Sequence, residues 1–531
     1  MVDSLGAPAT ATAVVLVAVG TLLTLALSTT QALIGARVGS DHPVHVFLTK
    51  NIRDGGYRLF VRIPRLLNTC YCAALPLYIH WIVAHFRAAA VFWCERLLNP
   101  AINTVHVAIF AGLALIVARV EGLPVFFVGL ATCVFALTPQ FYHALSARNF
   151  GMSARGSGLL LLTLFFAVAY AVEAGARPVI GWPALVILGW LVWGFSTFAQ
   201  QALCIISVVL VVISGRYVPL VGTVLGLVLF VAVHPTYSFG YLKHTLRFLR
   251  AYARELAPIY ILARRKSIWR DLVWDIWVSS RAGFRSAARY VYENSILVVV
   301  ALNPMVVLAC WAALAGEMPA RGLIEYSGDV TLAGTIALLL TSFRPTRFLG
   351  EPERYAEAIT PWAALCGSYL LFVRGEWRVL GAAIVLFLLV DLLQLCASRV
   401  LLNYVGKNVA QLDHIEAVVR QRLTTEVRFC SNNEHFTKML MQNDWQYAYY
   451  LAVGQDYCGM RLQEAFAIFP LLRREACERI VATYRVNACL LDRTLFEDLF
   501  DEPPPLLRNM NVAYESARFR LLILDWAESE R

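Results

Sequence analysis

Charge is what this chain has least of. Of its 531 residues only 15% are Asp, Glu, Lys or Arg, whereas 59% are hydrophobic, and the mean hydropathy is +0.61. Soluble domains are nearer a quarter charged and under half apolar, so the shortage excludes an ordinary water-soluble enzyme, a disordered chain and a fibrous array. Acid is scarcer than base, 36 Asp+Glu against 46 Lys+Arg, for a net charge of +10. The excess cations lie between apolar runs, where they meet lipid headgroups, so membrane lipid is an expected partner and nucleic acid is not. The twelve cysteines lack metal spacing. Cys70 and Cys72 form a C-x-C in an apolar segment with no histidine at finger spacing, and Cys133, Cys204, Cys310 and Cys396 fall in predicted helices as small apolar residues. Cys430, Cys458, Cys477 and Cys489 cluster toward the C-terminus, and their pairing depends on which side of the membrane they face. No internal repeat of about 20–50 residues is visible.

Apolar length is abundant instead. A bilayer core about 30 Å thick needs roughly 20 apolar residues per helical span, and about eleven such stretches precede residue 400. They fall near residues 12–35, 101–118, 122–142, 158–174, 179–198, 202–214, 217–233, 294–315, 330–343, 359–373 and 378–397. The first is too long for a signal-peptide core and has no basic flank before it, so it reads as a retained helix. The segment "CYCAALPLYIHWIVAHF" is short, contains Pro76 and carries His80 and His85, which suits a helix lying in the interface better than a span. The fold class expected is an all-α polytopic membrane protein of about 11 transmembrane helices with a small C-terminal α/β soluble domain. The membrane domain covers 1–399, with a first polar loop at 36–100 and a basic loop at 235–293; the soluble domain covers 400–531. In the basic loop Trp269, Trp274 and Trp277 interleave with arginines at near-helical spacing, the pattern of amphipathic helices on a membrane surface. After Arg399, "EVRFCSNNEH", "YAYYLAVG" and "RVNACLLDR" read as strands, and "FTKMLMQ", "RLQEAFAIF" and "RREACERIVATY" as the helices between them.

Asp41 draws attention first among candidate catalytic groups. It follows the first span closely, next to His42 and four residues before His45, two candidates to orient it or to contact substrate. A carboxylate at a membrane boundary is partly desolvated and thereby more basic, and such a group can take a proton from an acceptor hydroxyl. The same residue also suits a helix cap ahead of "HPVHVFLTKNIR". Arg148 and Arg155, with Asn149 between them, follow the third span and are placed to neutralise a phosphate or to snorkel at the interface. Lys243, His244 and Arg247 in the basic loop are second candidates for the same contact. Asn432, Asn433 and Glu434 follow a predicted strand; they suit either an acceptor contact or an Asn-built turn.

An ordered set of motifs adds to this. After Asp41 come Pro76 with Trp81, then "RLLN" at Arg96–Asn99, then Pro139 with Ala147 and Arg148. In this order they resemble the bacterial membrane glycosyltransferases of the GT-C superfamily, in particular the branch of protein O-mannosyltransferases and lipid A aminoarabinose transferases. The likeness covers about residues 13–175 and continues as layout beyond. It implies sugar transfer from a polyprenyl-phosphate-linked donor, with Asp41 as general base and Arg and Lys side chains on the donor phosphate. It also implies a bacterial inner-membrane protein whose active site and C-terminal domain face the extracytoplasmic side. No resident cofactor is expected, although the chemistry tolerates a divalent cation, and the acceptor is open. Relatives often carry a second acid near the first; this chain has His42 there and no Asp-x-Asp in the first loop. That departure speaks against a metal-dependent variant and leaves a degenerate, inactive relative as one reading. A transporter or non-catalytic partner for lipid-linked glycans is the other, with Asp391 in "VLFLLVDLLQLC" its one hint of an ion path.

Overall fold

The computed structural model describes residues 7–35, 42–59, 76–142, 152–256, 272–283, 294–319, 322–343, 351–423, 426–441, 443–448, 458–493 and 510–524, with isolated positions between them. The chain divides into two compact units. One comprises residues 1–34, 96–235 and 265–399, the other 35–95, 236–264 and 400–531.

The first unit is made of apolar helices. In chain order these are α1 (Ala7–Gly35), with α2 and α3 belonging to the other unit, then α4 (Ala88–Val120), α5 (Phe126–Ala136), α6 (Ala154–Glu173), α7 (Pro178–Phe195), α8 (Thr197–Ser214) and α9 (Val218–Val233). After α10 come α11 (Leu272–Arg281), α12 (Ser295–Leu302), α13 (Pro304–Leu314), α14 (Leu323–Thr341), α15 (Glu353–Val373) and α16 (Trp377–Arg422). Among the described residues eight helices are long and apolar enough to cross a membrane. The pair α12–α13, bent by 91°, makes up to a ninth, and the segments Phe126–Tyr142 and Val218–Val233 are shorter apolar helices. All eleven apolar stretches of the sequence are thus helical, and the chain is an integral membrane protein.

Helices in lipid gain little from hydrophobic exclusion between them and pack through small residues instead. Gly189 of α7 and Gly226 of α9 show this. A Cβ on Gly226 would lie 2.6 Å from the Gly189 carbonyl carbon, so only glycine allows the approach. The innermost helix is α15, buried from Glu353 to Leu370 but for Arg354, with Trp362 fully enclosed by the rings of Tyr326 and Phe166. At the α12–α13 bend, Asn303 donates to the Gln140 side chain at 3.0 Å and to Thr360 at 2.9 Å, so polar side chains bridge the interrupted helix.

The second unit gathers α2 (His42–Asp54), α3 (Tyr78–Ala84), α10 (Pro235–Ala251) and the C-terminal residues. Its sheet runs in the order β2-β1-β5-β7-β6, from β1 (Arg428–Ser431), β2 (Gln446–Tyr447), β5 (Ala488–Asp492), β6 (Asn511–Glu515) and β7 (Phe519–Ile523). Strand β1 is parallel to β2 and β5, whereas β7 is antiparallel to β5 and β6. Strand β5 is buried at all five residues, as a central strand covered on both faces should be. Helices α17 (Glu434–Leu440) and α19 (Arg474–Tyr484) follow as expected.

One local expectation is corrected. "RLQEAFAIF" is helical only over α18 (Leu462–Ala465); Phe466–Ile468 is a strand, β3, paired with β4 (Leu471–Leu472). Four helical residues are too few to propagate, and the aromatic and β-branched residues after them favour an extended chain. The hairpin β6–β7 was not anticipated, because the exposed residues of its edge strand give no clean alternation. Helix α16 continues past Arg399 to Arg422.

Candidate functional site

In the second unit, helix α2 begins at His42, directly after Asp41; Asp41 itself and the His42 side chain lie outside the described residues. The inner face of α2 carries Val44, His45, Phe47, Leu48, Asn51 and Ile52, all buried. His45 Nδ1 lies 2.8 Å from His80 Nε2 of α3, the two rings near parallel at 18°. One proton serves that bond. Burial first, and then the neighbouring His45, hold the His80 pKa well below the ordinary imidazole range, so His80 is neutral at pH 7. The expected substrate-contact residue His45 is therefore committed to another imidazole, and it anchors the helix that begins beside Asp41.

The segment after α2 docks on the C-terminal sheet. Leu66 bridges Tyr447 of β2, Phe47 packs edge-on against the same ring at 5.6 Å, and Arg65 bonds Asp54 and Asp444. Burial opposes the charge on Asp444, but Lys50 and Arg65 outweigh it and keep its pKa below the usual carboxylate range. Helix α3 is seven residues long, with Trp81 exposed and its indole donating to the Tyr57 carbonyl at 2.9 Å. Lys243, His244 and Arg247 lie on α10. Lys243 and Arg247 are exposed, and burial, with Arg247 and Lys243 beside it, lowers the His244 pKa.

Asn432, Asn433 and Glu434 are buried at the carboxyl end of β1. Asn432 donates to the Asp492 carbonyl at 3.2 Å and accepts from the Asp492 amide at 2.7 Å, while Asn433 donates to the Asp492 carboxylate at 2.9 Å. Asn433 also caps α17, accepting from the His435 amide at 3.0 Å. These amides tie the ends of β1 and β5 together.

In the first unit, Arg148 and Asn149 lie outside the described residues. Arg155 stands in the first turn of α6, where the Ser153 hydroxyl caps the helix by accepting the Arg155 amide at 3.1 Å. The start of α6 is pressed against "RLLN": a Cβ on Gly156 would fall 2.9 Å from the Asn99 side-chain oxygen. The Arg155 guanidinium lies 5.0 Å from the centre of the Phe198 ring, and Arg354 of α15 lies 4.1 Å from the same ring. Arg354 pairs with Glu351, and among the described residues its buried Nη1 has no hydrogen-bond partner. Two guanidinium groups and one unspent donor thus meet at this end of α6.

The other end of α6 is organised in reverse. Arg216, between α8 and α9, donates from Nε to Asp329 at 2.7 Å, from Nη1 to Glu173 at 3.0 Å and from Nη2 to Glu325 at 3.3 Å. Burial opposes its charge, but Asp329 and Glu173 outweigh that and raise its pKa. Sequence reasoning missed Arg216 and Arg354. The partners of Arg216 lie 43 to 113 residues away, so no local pattern points to it. For Arg354 the one signal was the dense run "EPERY" just ahead of an apolar stretch. Among the described residues no group of three His, Cys, Asp or Glu is placed to hold a metal ion.

No protein-family model and no curated protein matches the chain. Among solved structures it is similar over 96% of its length to ArnT from Cupriavidus metallidurans bound to undecaprenyl phosphate, with 97% of that chain covered, 13% identity and a TM-score of 0.44. It is also similar over 89% of its length to the oligosaccharyltransferase AglB from Archaeoglobus fulgidus in complex with an inhibitory peptide and a dolichol-phosphate, with 69% of that chain covered, 10% identity and a TM-score of 0.48.

Proposed function

We propose that this chain is an integral-membrane glycosyltransferase that moves a sugar from a polyprenyl-phosphate donor to an acceptor hydroxyl or amine. Asp41 is the general base: it takes the acceptor proton as the acceptor atom attacks the anomeric carbon from the face opposite the leaving phosphate, which inverts that carbon. The bond from the anomeric carbon to the phosphate oxygen breaks, and guanidinium groups stabilise the charge that collects on the departing polyprenyl phosphate. Arg148, Asn149 and Arg155 make the first of these contacts, and Lys243, His244 and Arg247 the second. His42 and His45 orient the segment that carries the base. The protein lies in the bacterial inner membrane with this site and its C-terminal residues on the extracytoplasmic side.

The observation that supports this reading most is the anchoring of α2. The helix starts one residue after Asp41 and seven after the apolar helix α1 ends at Gly35. Its first turn is pinned by the buried His45–His80 bond at 2.8 Å. A base must be held in place to act, and a helix start fixed by a buried side-chain pair supplies that rigidity. The test is Asp41→Asn, which keeps shape and removes basicity. Transfer of radiolabelled sugar from polyprenyl phosphate should fall by about 10²–10⁴ while donor binding and the melting temperature stay unchanged. Residual transfer within about tenfold of the parent would remove Asp41 from the mechanism.

A further inference from the structure

Helix α10 has two faces of opposite character. Tyr237, Ser238, Tyr241 and Ala251 are buried; the Tyr237 hydroxyl accepts the Leu77 amide at 2.9 Å, and Phe248 and Ala251 join the core of the C-terminal residues. Those contacts fix the rotation of the helix. Phe239, Lys243, Leu246, Arg247 and Arg250 are all exposed, Phe239 by 64% and Leu246 by 69%. At 100° per residue these five fall within about 100° of one another, a single stripe. The stripe holds three cations and two large apolar side chains, and α10 contains no Asp or Glu at all. Among the described residues Lys243, Arg247 and Arg250 have no carboxylate partner. Their neighbours in the same unit do: Lys50 and Arg65 share Asp444.

We infer that this stripe is a docking surface for anionic glycerophospholipid. Unpaired cations beside exposed Phe and Leu on one helix face match a surface that offers phosphate charge above an acyl layer. The position in the chain agrees. Helix α10 opens at Pro235, two residues after the apolar helix α9 ends at Val233, so the stripe begins where the chain leaves its apolar segment. Cations bind the lipid phosphates, and Phe239 and Leu246 enter the boundary between headgroup and acyl chain. Lys243 and Arg247 are also the second donor contact of the sugar-transfer reading, whereas Phe239, Leu246 and Arg250 have no part in it, so retention of glycerophospholipid tests the stripe whether or not the chain transfers a sugar.

The test is native mass spectrometry of the full chain, released from micelles that carry phosphatidylglycerol or phosphatidylcholine of the same acyl chains. The parent protein should retain phosphatidylglycerol in preference, and the preference should shrink as salt rises. Each cation near an anionic surface contributes about fivefold in affinity, so Lys243→Gln/Arg247→Gln/Arg250→Gln should bind phosphatidylglycerol about a hundredfold more weakly and phosphatidylcholine unchanged. Arg250→Gln alone, a milder change, should cost about fivefold. Phe239→Ser/Leu246→Ser should lower retention of both lipids. Equal retention of phosphatidylglycerol by parent and triple variant overturns the inference. So does displacement of phosphatidylglycerol by inorganic phosphate, which marks a closed anion site instead.

Discussion

The two ends of helix α6 solve opposite electrostatic problems. At its last residue, Glu173 joins Glu325 and Asp329 around one guanidinium, and every nitrogen of Arg216 that can donate is engaged. At its first turn, Arg155 and Arg354 share the Phe198 ring, and Arg354 retains a buried nitrogen with no partner among the described residues. The two clusters are separated by 18 residues of helix, about 27 Å along the axis. The Arg216 end is closed in charge: its hydrogen bonds hold α6, α14 and the α8–α9 turn together, and three carboxylates surround the one guanidinium. The Arg155 end has donor capacity to spare, which is what a site for an anionic leaving group requires. Under the proposed function, stability falls to the Arg216 end and the donor phosphate to the Arg155 end.

That contrast can be broken deliberately. Arg216→Ala strands three half-buried carboxylates; losing one partner of a fully buried pair costs about 3–5 kcal/mol, and solvent screening here reduces the expected loss to about 2 kcal/mol. Thermal unfolding in detergent should show a drop of that size, with donor binding by the molecules that remain folded unaffected. Should the variant melt like the parent, the closed end is not a structural fastening. Arg354→Lys probes the other end more gently. It keeps a charge opposite Glu351 but gives up the planar fork and the spare nitrogen. The expected result is a rise of about tenfold in the donor KM, with stability changed by about 1 kcal/mol or less. A large loss of stability with an unchanged KM would reverse the assignment of the two ends.

A pH titration sharpens the comparison with the smallest effect. His80 in the second unit has its pKa depressed by burial. The unfolded chain takes up a proton near pH 6.5 and the folded chain does not, so the stability from the neutral pair is present above that pH and is lost as pH falls below it. The slope is at most about 1.4 kcal/mol per pH unit. Hydrogen exchange between pH 7.5 and 5 should therefore quicken in α2 and α3 and stay level at the Arg216 end of α6, where the guanidinium keeps its proton. His80→Gln should abolish the slope. Exchange that quickens equally in both regions would show that the imidazole pair is not the sensor.

Much of the fold was legible along the chain, and the reason differs by region. Each of the eleven apolar stretches became a helix because a long apolar run in lipid has no other way to satisfy its backbone. Strands β1 and β5 were readable from "RFCS" and "ACLLD", whose continuous burial fits a covered strand. The edge hairpin and the short strand β3 were not, since their residues alternate too weakly to set a period. Of the candidate site, Arg155 kept a place among charged groups, whereas His45 acquired a partner in His80 and Asn433 acquired one in Asp492. Those pairings join residues 35 and 59 apart, beyond any local spacing rule.

The order of the residues determined that the chain lives in a membrane, where its helices run, and that its cations outnumber its acids between them. Local hydropathy and charge are properties of short windows, and short windows are what a sequence displays. Only the tertiary structure decided which charges are spent on one another. Arg216 is consumed by three carboxylates and the stripe on α10 by none among the described residues, although nothing in their immediate sequence tells them apart. The physical reason is range: a guanidinium chooses its partners within about 4 Å in space, and folding brings those partners from more than a hundred residues away.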